Sequence, residues 1–351
     1  MTKRVLHEQI LSQEARTRKY QPGEGEKFPY APLFLKVLMA GERLTFNLYL
    51  KAVEKGGQDI KFILFAGEDE ILEQRVLDRL ADLGIDRLYF HKNDLPKGIA
   101  YLNNHLQILR EKGPEPTLEV LTVFKEHLNL SLQKAFKSTR LGRAIRLAES
   151  EMEDLLRIIQ KDPPTALKMV WKILYQDYNL YNHSINVCLL GMSFLLFIEK
   201  TRNDCRQMGM AALFHDFGMT RITPEIMSKE ETLTPEEWQE VKAHPRLGYE
   251  ILRGQASIAC MPEEPLRLVL EHHENLDGSG YPQGLVGEKQ HPWTRFIRVI
   301  DAYDALTVNR PYRVGKPPFA ALKILQKEKG PQGPKYDQET LEHFIRFLAF
   351  A

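Results

Sequence analysis

The sequence predicts a mainly α-helical protein, with an all-helical C-terminal domain preceded by a small α/β module and a linker helix. Three observations predict it. Short apolar runs rich in Phe, Leu, Ile and Val, the signature of strands, fall between residues 32 and 90. Beyond residue 117 the apolar residues recur at helical spacing. GPEPT at 113–117 and Pro163-Pro164 punctuate the chain, because proline and glycine stop a helix from running through them. The resulting division is an irregular lead-in at 1–30, an α/β module at 31–113, a linker helix region at 114–163 and a helical domain at 164–351.

Within the module, PLFLKVLM (32–39) and DIKFILFAG (59–67) read as strands. ILEQRVLDRLADLG carries Leu72, Val76, Leu80 and Leu83 at helical spacing, and Gly84 supplies the stop. IDRLYF returns to a strand, and Ile99, Leu102, Leu106 and Leu109 mark one face of a further helix. The module lacks the strand-end acidic cluster and paired lysine of a receiver domain, so it reads as a sensory or packing module without chemistry. In the linker region Leu141, Ile145, Ala148, Met152, Leu155 and Ile159 step by alternating four and three residues. That is the spacing of a coiled-coil seam, over fewer than three heptads. It fits either packing on its own domain or a homodimer seam.

Composition narrows the class of function. The 351 residues carry 48 Lys and Arg against 47 Asp and Glu, and no basic block stands out. This argues against a surface for a nucleic-acid polymer, which needs a concentrated basic face. Cys188, Cys205 and Cys260 are odd in number and widely spaced, as in a reducing compartment rather than a disulfide or zinc framework. The N-terminus has no apolar signal core, and VCLLGMSFLLFI (187–198) is too short to span a bilayer. A cytoplasmic protein without membrane insertion is the expectation.

The chemistry concentrates between residues 183 and 304. His183 precedes the apolar run, and His215 with Asp216 closes another. His244 follows a helix marked by Thr234 as N-cap, Pro235 at the first helical position and Glu237 closing a capping box. His272 and His273 end the helical run PLRLVLEHH ahead of the glycine-broken turn DGSG. Adjacent helical side chains point about 100° apart, so the pair converges on one centre only at a helix end. Asp301 and Asp304 share a helical face. Five of the eleven histidines belong to this set. Imidazoles with carboxylates suit first-row transition metals. Their number exceeds one tetrahedral site and suits two metals sharing a bridging carboxylate, an arrangement that clamps a phosphodiester for in-line attack.

HDFG (215–218), HPRLG (244–248), HHENLDGSGYP (272–282) and DAYDALTVNRPYR (301–313) together resemble the HD-GYP family of bacterial cyclic-di-GMP phosphodiesterases, over roughly residues 165–350. The resemblance implies an all-helical HD-type domain that hydrolyses cyclic-di-GMP to the linear dinucleotide pGpG or to GMP. It implies two divalent metals, iron by preference with manganese also suited, held by His183, His215, Asp216, His244, His272, His273 and Asp301. Asp216 would bridge them, and Asp304 would orient a ligand or the leaving group. Arg310 and Arg313 would contact substrate phosphates, and Gly280, Tyr281 and Pro282 would shape the loop beside the substrate and offer a surface to a signalling-protein partner. Two positions depart from the pattern. Met219 stands where the family has lysine, and Asn179 stands where members with a third metal have glutamate. The first departure keeps a second reading open, a metal- and nucleotide-binding signalling module that is catalytically weak or silent. Cyclic-di-GMP and the mixed cyclic GMP-AMP both suit the same residues.

Overall fold

A computed structural model describes residues 28–53, 60–113, 117–137, 141–174, 179–227, 229, 231–254, 261–309 and 313–350. The chain divides into two compact units, one running to Gly113 and taking in Thr122–Leu130, the other comprising the remainder.

The first unit is built on a four-stranded antiparallel sheet. Its strands β1 (Tyr30–Phe34), β2 (Leu48–Val53), β3 (Ile60–Ala66) and β4 (Arg87–His91) lie in the order β1-β4-β2-β3. Alternation selects the faces. Ala31 and Leu33, Leu48 and Leu50 are buried, while Tyr30, Tyr49 and Phe62 cluster on the other side, Tyr30 stacked on Phe62 at 4.2 Å. The strand expected over 32–39 ends at Phe34, where a 3-10 turn (Leu35–Val37) takes over. β2 was not anticipated from the sequence.

Helix α1 (Gln74–Asp82) buries Leu77 and Leu80 and leaves Leu83 40% exposed, so its inner face is rotated from the predicted stripe. Gly84 provides the expected stop. It takes a φ of 75°, its N–H bonds Ala81 O, and Ile85 N–H bonds Leu80 O. α2 (Leu95–Lys112) buries Leu102, Leu106 and Leu109, and Thr117 caps α3 (Leu118–Phe136) by accepting from Val120 N.

The second unit is helical apart from a two-stranded hairpin of β5 (Lys329–Gly330) and β6 (Gly333–Pro334). In α4 (Leu141–Ile159) all six residues of the predicted stripe are buried in the chain's own core. That answers the choice between own-domain packing and a homodimer seam, since none of the six is left for a second copy. Pro163 and Pro164 start α5 (Pro163–Ile173), with Asp162 accepting from Thr165 N as the cap.

α6 (Leu180–Phe197) is the central helix, buried without a break from Asn182 to Leu195. At 18 residues it outruns the apolar stretch read from sequence and is long and apolar enough to cross a membrane, yet 78% of it is buried inside the fold. α7 (Arg202–Phe214), held by a Thr201–Asp204 capping box, packs against it. Glycine fits the close approach there, for a Cβ on Gly209 would lie 2.5 Å from Met192 Sδ and force that side chain to shift. Cys188 and Cys205 are buried free thiols; Cys260 lies outside the described residues. The short α8 (Pro224–Met227), then α9 (Pro235–Lys242), α10 (His244–Gly254), α11 (Glu263–Glu271) and α12 (Thr294–Thr307) follow. α13 (Pro318–Lys327) and α14 (Gln338–Phe350) complete the unit.

Candidate metal centre

Five of these helices deliver the predicted side chains to one place. α6 carries His183 in its first turn, the end of α7 presents His215 and Asp216, and α10 opens on His244. α11 stops at Glu271, so His272 and His273 leave the helix together, as a converging pair requires, and α12 supplies Asp301 and Asp304. Two clusters of potential ligands form, His183 with His215 and Asp216, and His244 with His272, His273 and Asp216. Asp216 belongs to both. Its Oδ2 lies 3.4 Å from His215 Nε2 and its Oδ1 lies 3.2 Å from His244 Nε2. Asp301 extends the first cluster, with Oδ1 3.1 Å from His183 Nε2, and its Oδ2 stands 3.6 Å from His273 Nδ1.

The imidazoles are aimed by their other nitrogens. His215, His244 and His272 each donate Nδ1–H at 2.7 Å to the carbonyl three residues earlier, of Ala212, Val241 and Val269. Those bonds leave the Nε2 lone pairs turned inward, where His244 Nε2 and His272 Nε2 face each other at 3.1 Å. Two lone pairs held nose to nose in a buried site repel unless a cation lies between them. This donor set fits divalent metal ions, and the tethered second nitrogen is the usual support of a metal-bound histidine. His183 is held differently. Its Nδ1 pairs with Asp304 Oδ2 at 2.7 Å, and Asn186 Nδ2 donates to Asp304 Oδ1 at 2.8 Å.

The electrostatics follow from this crowding. Burial opposes ionisation of Asp216 and Asp301, yet the histidines around them hold both carboxyls well below their usual range. Burial, reinforced by neighbouring imidazoles, keeps His272 far below an ordinary histidine and, despite the nearby Asp301 carboxylate, takes His273 down to about 3. For His183 burial also pulls downward but is outweighed, as hydrogen bonds to Asp301 and Asp304 lift it to about 10.

The turn after the histidine pair closes over the site. The Tyr281 ring lies 4.8 Å from that of His273, and the Tyr281–Pro282 peptide is cis. Gly280 touches the histidine segment itself, for an added Cβ would meet Asn275 N at 2.3 Å and His273 O at 2.5 Å. Arg313 donates from an Nη to the Ala305 carbonyl near the end of α12. Its Nε is buried without a partner among the described residues. Arg310 lies outside the described residues. Met219 sits in the 3-10 turn directly after Asp216, its N–H bonded to Asp216 O. Asn179 is the N-cap of α6, its side-chain oxygen accepting from Asn182 N at 2.8 Å.

Three further residues support the centre and were not singled out by sequence reasoning. Glu274 accepts from the N–H groups of Gln283, Gly284 and Leu285, clasping the turn. Arg298 donates to Asn275 Oδ1 at 3.0 Å and approaches Asp301 Oδ2 at 3.4 Å. Asn186 braces Asp304. Glu274 directly follows the histidine pair, and Asn186 and Arg298 each lie three residues from a predicted ligand on its own helix, so helical spacing carried a signal for both.

A family model described as HD domain matches residues 178–339. A cyclic di-GMP phosphodiesterase of Pseudomonas aeruginosa is 28% identical over 285 residues, 78% of this chain and 67% of that protein. A cyclic di-GMP phosphodiesterase response regulator of Xanthomonas campestris is 38% identical over 57% of this chain and 52% of its own length. A cyclic di-GMP phosphodiesterase of Thermotoga maritima is 32% identical over 49% of this chain and 45% of its own. The chain thus spans about two thirds of the first relative and about half of the other two. Among solved structures, an HDG"Y"P protein from Bdellovibrio bacteriovorus aligns with a TM-score of 0.64, covering 91% of this chain and 99% of that one, at 18% identity; it shares the fold.

Proposed function

Because this chain belongs to the HD-GYP family through its HD domain, we propose that it is a metal-dependent phosphodiesterase of second-messenger signalling that hydrolyses cyclic-di-GMP to linear pGpG or GMP. The observation that carries the proposal is the shared carboxylate, one oxygen of Asp216 turned to each of two ligand clusters. Divalent cations held there, iron by preference or manganese, would polarise the phosphoryl oxygens and acidify an attacking water. His183, His215 and Asp301 would hold one, and His244, His272 and His273 the other, with Asp216 shared by both sets. Two ions rather than three agree with Asn179, whose oxygen is engaged in capping α6.

The remaining residues prepare the site. Asp304 sets the orientation of His183. Glu274 and Gly280 hold the Gly280-Tyr281-Pro282 turn against the histidine pair, where Tyr281 shields His273 from water. Arg298 supplies positive charge beside Asp301, and Arg310 and Arg313 belong to the segment assigned to substrate phosphates. The exposed tip at Gln283 and Gly284 is the face this turn offers to a signalling-protein partner, and the working compartment is the cytoplasm.

Met219 favours a second reading, a binding module with weak or no turnover. A thioether cannot donate charge to the scissile phosphate, and losing one preorganised donor commonly costs about 10²–10³ in rate. Anaerobically purified protein loaded with iron or manganese decides between them. Release of pGpG or GMP from cyclic-di-GMP supports the enzyme. Tight binding without product, in wild type and in Met219→Lys alike, supports the module. Mixed cyclic GMP-AMP run in parallel reads base selectivity.

A further inference from the structure

The helix that orients His244 also holds an aromatic ring out at the surface. Trp238 lies on α9 three residues before Val241, whose carbonyl accepts from His244 Nδ1, so both sit on one helical face. α9 is firmly anchored. Thr234 and Glu237 form its reciprocal cap, Lys229 Nζ reaches Glu237 at 2.7 Å, and Glu240 accepts from Thr223 N at 2.8 Å. From this platform the Trp238 side chain is 45% exposed. Its ring stands 6.3 Å from that of Tyr281 at an interplanar angle of 81°. Tyr281 in turn lies 4.8 Å from His273 and 6.4 Å from His244. Two ring-to-ring steps lead from open surface to the imidazoles of the centre.

An exposed apolar residue alone needs no explanation. Here a large, rigid indole is fixed beside the tyrosine ring that covers a predicted metal ligand, on the helix that aims another. A nucleotide joins a flat base to a phosphate, and base–aromatic stacking tolerates any base because every base has a π-face. We propose that Trp238 is the base platform of this site: a purine of the bound nucleotide stacks on its indole while the attached phosphate occupies the metal centre. This rests on the nucleotide reading of the centre and not on turnover.

The test is the affinity of the metal-loaded full chain for GMP and for ribose 5-phosphate, which lacks the base, measured by calorimetry. Wild type should bind GMP more tightly than ribose 5-phosphate by about five- to a hundred-and-fifty-fold, the value of one stacked base. Trp238→Ala should close that gap while leaving ribose 5-phosphate affinity and metal content unchanged, and Trp238→Phe should keep most of it. Equal affinities in wild type overturn the proposal. So does a Trp238→Ala variant that weakens both ligands alike, which would mean Trp238 acts through α9 on His244. A variant that alters oligomeric state with the gap intact overturns it in favour of a protein-facing surface. A GMP preference that depends on Trp238, in a protein that leaves cyclic-di-GMP uncleaved, sinks the hydrolysis and upholds the platform.

Discussion

Asp216→Ala is the sharpest perturbation of the centre, because one side chain serves both ligand clusters. Its oxygens lie 3.2 Å from His244 Nε2 and 3.4 Å from His215 Nε2. Removing them takes the shared carboxylate from both clusters at once, leaving Asp301 as the anionic donor of the first and three neutral imidazoles in the second. At a free metal concentration 100 times the dissociation constant, one occupied site stabilises the native chain by about 2.7 kcal/mol. A domain of 150–250 residues shifts its melting temperature by about 2–4 °C per kcal/mol, so each site should add roughly 5–10 °C. Wild type should therefore gain two such increments when manganese is added to metal-free protein, and Asp216→Ala almost none. Elemental analysis should find two equivalents in wild type and none in the variant. Asp216→Asn, which keeps one acceptor oxygen, should keep at most one. Two equivalents and an undiminished thermal shift in Asp216→Ala would refute the bridging role.

Other expectations follow from single contacts. Asp304→Asn removes the charged partner of His183 Nδ1 and should weaken metal binding about 10–100-fold, read by competition with a chelator. Gly280→Ala drives a Cβ into the backbone of Asn275 and His273, so it should destabilise by about 1–3 kcal/mol or more and lower metal occupancy; an unchanged melt and metal content would place the turn elsewhere. Glu274→Gln weakens the clasp on Gln283, Gly284 and Leu285 and should cost about 1–3 kcal/mol, with faster hydrogen exchange at those three amides. In the first unit, burial pushes Lys125 down to about 8 from its ordinary 10.5, although Glu126 opposes the shift. Between those values the unfolded chain binds more protons than the native one, so stability should rise with pH across that window. Denaturant titrations should show the rise flattened in Lys125→Met.

The legible parts of the sequence were those in which local pattern and tertiary role agree. The α4 stripe showed its buried face at once, though not what would cover it; Leu141 through Ile159 look the same facing α7 or facing a second copy. The convergence of the seven candidate ligands was legible because each sits at a helix end or on a helical face beside a distinctive neighbour. β2 escaped because Leu48–Val53 is short and interrupted by Lys51, and its pairing with β3 and β4 is a tertiary fact. α1 turned by a step because Leu77 and Leu80 meet the core better than the longer stripe ending at Leu83. Arg313 shows a choice the sequence leaves open: an arginine close to a helix end can bond its last carbonyls as readily as a phosphate, and sequence cannot rank the two. Trp238 carries no local signal of its place, since Tyr281, the ring beside it, lies forty-three positions away in the chain.

The carbonyl tethers of His215, His244 and His272 bear on how a metal ion would be taken up. Each imidazole is already fixed by its own backbone, with its Nε2 turned to the centre. Captured ions lose little to ordering the ligands, which favours tight uptake from scarce supply.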